Sequence, residues 1–225
     1  MRKLLIIAVF ALVAVSASGQ NQTSQKVREY TKKNQHSILK EFTELLSMPN
    51  VASDTENINR NAEYLKQQLQ KRGLTAKILR AADPKVAPAV FGEWSIPGAK
   101  RTVIFYAHYD GQPVDRDKWI GSKPWTPVLR TDSLQNGGKT IPFPKPSQAI
   151  NPNWRIYARS ASDDKGGVFT ILKTIDAMKA NSIVPSVNIK IFLEGEEEAG
   201  SSNLKEIVTA HKELLKSDAW IICDG

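Results

Sequence analysis

The sequence has little of several features that commonly mark a function. Its single cysteine, Cys223, cannot form a disulfide within the chain, and because it stands in an apolar stretch we interpret it as a small core residue. No phosphate-binding Gly-x-x-x-x-Gly-Lys-Ser/Thr motif, internal repeat or long basic run is present. With 41% hydrophobic and 24% charged residues, the 225-residue chain has a globular composition, which excludes collagen-like and disordered classes. These features argue against cysteine chemistry and nucleic-acid binding.

The N-terminus has the order of residues typical of a secretory signal peptide. Arg2 and Lys3 precede the apolar residues 4–15, and small residues follow at positions 16–19. An apolar stretch of this length is too short to span a bilayer, so we expect cleavage after Gly19, which removes residues 1–19, or after Ala17, without leaving a stable membrane anchor. The protein would then be exported to the periplasm or the cell exterior, and its formal charge of +8 would fall to about +6.

Apolar periodicity in the rest of the chain predicts strands that alternate with helices. Residues 20–36 are polar and predict a mobile lead-in to a single domain over residues 37–225. The last predicted strand is expected to be buried, and the prolines and glycines between residues 130 and 153 predict a long irregular loop. The alternation is typical of an α/β sheet with helices on both faces. The predicted helices lie at residues 37–48, 58–73, 168–178 and 204–215, and the strands at residues 74–79, 89–94, 102–107, 187–193 and 219–223.

One candidate site begins where a predicted strand runs directly into His108, Tyr109 and Asp110. Alternate residues of an extended chain point the same way, so His108 and Asp110 share a face. A carboxylate beside an imidazole can fix the tautomer that a metal ligand needs. A single histidine beside a strand is more often structural, so this motif alone does not establish a metal site.

Three further motifs place carboxylates after predicted strands. Asp163 and Asp164 stand at a strand-to-helix turn that begins with the apolar residues 156–157, and they fit either a helix N-cap or a site in which a cation offsets their repulsion. Residues 194–198 read Glu-Gly-Glu-Glu-Glu after an apolar strand, although an acidic run is usually a solvated face. Asp224 follows the last strand.

The four motifs converge on one place if their strands are parallel, because ligands bind beyond the carboxyl ends of parallel strands. A histidine with several carboxylates suits zinc or manganese and indicates a metallohydrolase.

The motifs resemble the signatures of the di-zinc exopeptidases, the family that includes aminoacylase, carboxypeptidase G and carnosine dipeptidase. Residues 108–113 read His-Tyr-Asp-Gly-Gln-Pro, residues 162–166 read Ser-Asp-Asp-Lys-Gly, and residues 193–201 read Leu-Glu-Gly-Glu-Glu-Glu-Ala-Gly-Ser. The first and third motifs are most similar to those of the dipeptidase branch. The resemblance implies that residues 37–225 are the N-terminal part of a catalytic domain with a mixed, mostly parallel sheet.

The resemblance also implies which residues bind metal. His108 and Asp224 would bind one ion, Glu198 would bind a second, and Asp163 would bridge the two. Two Zn²⁺ ions are the implied cofactors, with Mn²⁺ as an alternative. In this family the peptide bond between the residues matching Asp163 and Asp164 is commonly cis.

Two more carboxylates would take part in catalysis. Glu197 would be the general base that deprotonates the metal-bridging water and passes the proton to the departing amine, and Asp110 would orient His108. The implied reaction is the metal-dependent hydrolysis of dipeptides or the release of C-terminal residues. The alternatives are a related amide hydrolase, such as an N-acyl amino acid deacylase or desuccinylase, and an inactive fragment that binds only a metal or a partner.

Some features of the family have no counterpart in this sequence. In the family, a lid or dimerisation domain follows at about residue 225, and a returning segment then supplies a final histidine to the second metal. A homodimer is therefore an expectation for the full-length protein only. The other two histidines, His36 and His211, are not expected to replace the missing ligand, and Ala158 and Ser160 stand where the family has glycines.

Overall fold

The computed structural model of the protein describes residues 2–119 and 121–224, and for residues 2–21 it describes the helical backbone alone. The described residues form four α-helices: α1 Arg2–Leu46, α2 Thr55–Lys71, α3 Lys165–Ala180 and α4 Leu204–Ala210. They also form eight strands: β1 Thr75–Leu79, β2 Ala89–Trp94, β3 Thr102–His108, β4 Val128–Arg130, β5 Thr140–Ile141, β6 Arg155–Tyr157, β7 Asn188–Glu194 and β8 Ala219–Ile222.

The expected signal peptide remains a prediction, because its side chains lie outside the described residues. Among the helices that the described residues form, none carries an apolar stretch long enough to cross a membrane.

Five strands form the central sheet in the order β1-β2-β7-β3-β8. β3 pairs in parallel with both β7 and β8, whereas β2 is antiparallel to both β1 and β7. All strands except β2 therefore run in one direction, which confirms the prediction of a mixed, mostly parallel α/β sheet. The carboxyl ends of β3, β7 and β8 consequently lie at one edge of the sheet, where His108 is opposite Glu194 in the register.

Helices cover both faces of this sheet, as predicted. α1, α2 and α3 pack on one face, where Leu45, Leu65 and Leu172 belong to a single buried apolar cluster. α4 and the turn after it cover the other face, and Ile207 and Leu215 lie there in a second buried cluster. Because apolar residues recur every three or four positions along α2 and α3, each helix presents one continuous apolar stripe to the sheet.

The structure corrects two expectations about helices. Residues 20–36, expected to be a mobile lead-in, belong to α1, since the segment has no glycine or proline and is rich in good helix formers such as lysine, glutamine and glutamate. α4 ends at Ala210 rather than continuing to residue 215. His211 stands at its C-cap, and Leu215 reaches the core after a turn.

Two expectations about strands are also corrected. β8 is not buried: Trp220, Ile221 and Ile222 are 39%, 44% and 60% exposed, because β8 is the edge strand and pairs only with β3 among the described residues. The predicted irregular loop between residues 130 and 153 contains β5, which pairs with β4 in a small sheet ordered β5-β4-β6. Gly137, with a φ of 71°, lets the chain reverse between these two strands.

A polar cluster around the buried Arg72 side chain joins α1, α2 and α3 on the first face. The Arg72 side chain is 7% exposed, and its Nη2 donates to Glu41 Oε1 at 2.7 Å and to Asp176 Oδ2 at 2.9 Å. Nη1 of Arg72 donates to both oxygens of Gln68 at 2.9 Å. Lys173 contacts the same two carboxylates, so each charge of the cluster has an opposite partner.

Replacing Arg72 with methionine is expected to lower the free energy of unfolding by about 3 kcal/mol, because it leaves Glu41 and Asp176 with one cation between them. Arg60, an exposed residue of α2, provides the control, and its replacement with methionine is expected to change stability by about 0.5 kcal/mol or less. Urea-induced unfolding of the intact protein measures both values. Equal losses in the free energy of unfolding at the two positions would show that the charge cluster around Arg72 does not stabilise the fold.

Candidate metal centre

His108 is fully buried at the end of β3, and both of its ring nitrogens face carboxylates. Nδ1 is 3.3 Å from Asp110 Oδ1, whereas Nε2 is 2.9 Å from Asp163 Oδ1. Nε2 also lies 3.7 Å from Asp224 Oδ1 and 3.8 Å from Glu197 Oε2. Since Asp110 pairs with Nδ1, Nε2 is the atom that remains for a ligand shared with the other carboxylates.

Asp110 is also fully buried, and it connects the His108 segment to the third motif. Its Oδ1 accepts the backbone N–H of Glu197 and its Oδ2 accepts the backbone N–H of Glu198, both at 3.1 Å. These bonds fix the turn after β7 relative to His108. The close approach requires Gly195, because a β-carbon at that position would collide with the Tyr109 hydroxyl and the Pro88 carbonyl.

The two aspartates of the second motif have different positions. Asp164 is the N-cap of α3, and its carboxylate accepts the N–H groups of Gly167 and His108, both at 3.1 Å. Asp163 points to His108 instead, with a side chain that is 59% exposed. The peptide bond between them is cis, as the resemblance implies. The sequence left a helix cap and a cation site as alternatives. The structure shows that Asp164 caps the helix and that Asp163 faces the His108 ring.

Asp163 was expected to reach the site at the carboxyl end of a strand parallel to the others, but the structure brings it there differently. The strand before it, β6, belongs to the small sheet rather than to the central one. The start of α3 brings Asp163 to the carboxyl end of β3, and Lys165 holds this helix in place. Lys165 is fully buried and donates to the carbonyls of Leu45 at 2.9 Å and Met48 at 2.8 Å. Sequence reasoning missed Lys165, since these partners lie 120 and 117 residues away along the chain.

His108, Asp163 and Asp224 form a group whose donor atoms all lie within 4.8 Å of one another. One imidazole nitrogen and two carboxylate oxygens are a donor set that fits zinc or manganese. Three protein ligands also leave a position open, as in catalytic zinc sites. The cluster is closed on the side of buried His108 and open on the side of the exposed carboxylates. The residues present therefore fit one divalent metal ion.

Glu198 does not join this group among the described residues. It lines a cavity of about 110 Å³ together with Asp110, Gly111 and Pro113. The described residues form no second group of three or more such ligands, and the role of Glu198 stays a prediction.

The other histidines lie apart from the cluster in the described part of the chain. His36 Nε2 is 2.8 Å from the Gln148 carbonyl oxygen, and His211 stands at the C-cap of α4. The expectation that neither residue replaces the missing metal ligand stays a prediction.

The carboxylates around His108 favour a positive charge at the centre of the site. Burial alone would lower the pKa of His108, but the hydrogen bond and charge of Asp110, with the charges of Asp164 and Glu197, raise it to about 9. Burial raises the pKa of Asp164 to about 6, and it also raises the pKa of Glu197. A proton on His108 or a metal cation bound beside it would offset the negative charge of these carboxylates.

Comparison with known proteins identifies the class to which this fold and cluster belong. Residues 104–225 match the peptidase family M20/M25/M40. The match covers more than half of the chain, and the protein is a member of that family. The motif resemblance found in the sequence is thereby confirmed.

Individual relatives resemble most of this chain but are much longer. Cys-Gly metallodipeptidase dug1 of Schizosaccharomyces pombe is 26% identical over 208 residues, which are 88% of this chain and 39% of that protein. Beta-Ala-His dipeptidase of Homo sapiens is 33% identical over 143 residues, or 62% of this chain and 24% of that protein. The crystal structure of human carnosine dipeptidase 1 is similar with a TM-score of 0.71 and 25% identity, over 89% of this chain and 41% of that chain. The chain therefore spans less than half the length of these relatives.

Replacing Asp110 with asparagine is expected to weaken zinc binding by about 10–100-fold. The amide presents an oxygen to only one of the two backbone N–H groups and turns its NH₂ towards the other, so both His108 and the turn at residues 197–198 lose their alignment. Competition with a chromophoric zinc chelator measures the affinity of the intact protein. Asp117→Asn, at an exposed turn, serves as the control, and equal affinities in the two variants would contradict the expectation.

Proposed function

We propose that this protein hydrolyses dipeptides, or the C-terminal peptide bond of short peptides, with bound zinc. The observation that carries the proposal is the group formed by His108, Asp163 and Asp224 beside the Glu197 carboxylate. Membership of the M20/M25/M40 peptidase family supports it. Two similar proteins are a Cys-Gly metallodipeptidase and a Beta-Ala-His dipeptidase, which supports a dipeptide as the substrate class.

In this proposal His108, Asp163 and Asp224 hold one divalent ion, and Asp163 and Glu198 contribute to a second. When bound, such an ion polarises a carbonyl group and makes water more acidic. Asp110 keeps His108 Nε2 directed at the other carboxylates, because its Oδ1 accepts a hydrogen bond from Nδ1–H. The exposed side of the cluster, at the Asp163 carboxylate, is where a substrate can enter.

Glu197 is the residue best placed to move a proton. Its Oε2 lies 3.8 Å from His108 Nε2, and its side chain is 36% exposed, so it borders both the cluster and solvent. Burial raises its pKa, which makes its carboxylate a better acceptor for a proton from water. The same oxygen can then return the proton to the departing amine. The bond from Glu197 N–H to Asp110 holds the residue within reach of the cluster.

Glu197→Gln is expected to lower kcat for dipeptide hydrolysis by about 10²–10⁴-fold, because the amide cannot accept the proton, while zinc content stays the same. The measurement is the release of free amino acids by the intact protein from a panel of dipeptides and N-acyl amino acids, with zinc content measured in parallel.

The control is Glu213→Gln, which changes an exposed residue that pairs with Lys216 and should leave the rate unchanged. Removing metal with a chelator should abolish the release, and zinc should restore it. A rate that resists both the chelator and Glu197→Gln would refute the proposed function. Release from N-acyl amino acids but not from dipeptides would refute the substrate class.

We also propose that the protein is exported to the periplasm or the cell exterior. The proposal is supported by the basic residues Arg2 and Lys3, the apolar residues 4–15 and the small residues 16–19. A homodimer of the full-length protein remains a prediction of the family resemblance.

The exported protein is expected to begin at Ser18 or Gln20, after cleavage behind Ala17 or Gly19. N-terminal sequencing of the protein recovered outside the cytosol in its native host measures this directly. Leu12→Arg places a charge in the apolar stretch and should retain the uncleaved chain inside the cell, whereas Gln25→Arg, beyond the stretch, should not. Recovery of a cytosolic chain that starts at Met1 would contradict the proposal.

A further inference from the structure

Asn50 is a fully buried polar residue for which the proposed mechanism has no role. It lies in the loop between α1 and α2, and each polar atom of its side chain has a partner. Nδ2 donates to the backbone oxygen of Tyr109 at 2.8 Å and to Ser160 Oγ at 2.9 Å. Oδ1 accepts the indole N–H of Trp125 at 3.1 Å. Complete pairing of this kind lets an amide group stay in the core at little cost.

Apart from Trp125, the partners of Asn50 belong to the two segments that carry the cluster residues. The backbone oxygen of Asn50 accepts the N–H of Gly111 at 2.9 Å, and its side chain binds the carbonyl of Tyr109. Asn50 therefore binds the residues immediately before and after Asp110. Ser160, the partner in the other segment, lies shortly before Asp163 and has a φ of 60°, a backbone conformation that a surrounding contact must maintain.

The two segments touch each other at the point where Asn50 joins them. A β-carbon at Gly111 would collide with Ser160 Oγ and would lie 3.1 Å from Asn50 Nδ2. The segments therefore meet without space for an additional side-chain atom. A change in the length or hydrogen bonding of residue 50 would alter their separation.

We propose that Asn50 is a positioning residue that joins the segment of His108 and Asp110 to the segment of Asp163, and so sets the spacing of the metal ligands. The proposal rests on the proposed function, since it concerns the same site. His108 and Asp163 come from different parts of the chain, so their spacing depends on contacts between loops. Partners that orient metal ligands commonly change metal affinity by about 10–100-fold when they are replaced.

The test compares two buried asparagines in the intact protein. Asn50→Leu keeps a similar volume and removes all the side-chain hydrogen bonds described above. Asn61→Leu is the matched control: Asn61 is equally buried, but its side chain donates to the carbonyls of Pro49 and Asn57 and to neither segment of the site. The probes are Zn²⁺, by chelator competition, and Co²⁺, whose visible absorption reports ligand geometry. Thermal unfolding of the metal-free forms monitors the fold.

Asn50→Leu is expected to bind Zn²⁺ about 10–100-fold more weakly and to change the Co²⁺ spectrum, whereas Asn61→Leu should bind within about threefold of the unmodified protein. Ser160→Ala removes one of the hydrogen bonds with a smaller disturbance and should shift affinity in the same direction, which keeps the proposal testable if Asn50→Leu does not fold. Unchanged affinity and spectrum in a folded Asn50→Leu protein would overturn the proposal. Equal losses in Asn61→Leu, or loss of folding in both Asn50→Leu and Ser160→Ala, would overturn it as well.

Refutation of the role proposed for Asn50 is distinguishable from refutation of the proposed function. If the unmodified protein binds metal and hydrolyses dipeptides while Asn50→Leu binds metal normally, only the role of Asn50 is refuted. If the unmodified protein binds neither Zn²⁺ nor Co²⁺, the proposed function and the role of Asn50 are both refuted.

Discussion

A carboxylate that is fully removed from water must be matched by hydrogen-bond donors and positive charge, and the candidate site is built around such a group at Asp110. Its donors come from two motifs: the ring of His108, and the backbone N–H groups of Glu197 and Glu198. Satisfying one buried carboxylate therefore fixes both the imidazole and the turn that carries the proposed general base. The end of β3 and the turn after β7 act as one unit for this reason.

The second half of the site depends on where α3 begins. Asp164 caps this helix and accepts the backbone N–H of His108, so the helix start is tied to the end of β3. Lys165 anchors the same point to the end of α1 through two carbonyl groups. Asp163, the neighbour that is not used as a cap, is left facing His108 Nε2 at 2.9 Å. Loop contacts such as those of Asn50 then determine how closely the two halves approach.

The parts of this arrangement that were predictable from sequence are those encoded locally. Apolar runs bounded by glycine and proline predicted β2 and β3 to within a residue, and the parallel ends of β3, β7 and β8 made the convergence of His108, Glu197 and Asp224 foreseeable. The exposure of β8 and the membership of β6 in a separate sheet depend on strand order, which periodicity does not encode. The place of Asn50 depends on partners 59 and 110 residues away, so no local pattern indicated it.

The central claim is that His108, Asp163 and Asp224 together hold a divalent metal ion. Anomalous diffraction at the zinc absorption edge, on crystals of the zinc-loaded intact protein, tests this claim most directly. The account predicts an anomalous peak at about 2.0–2.2 Å from His108 Nε2 and from a carboxylate oxygen of each aspartate. Zinc found only at other positions, or no peak among these three side chains at full zinc loading, would contradict it.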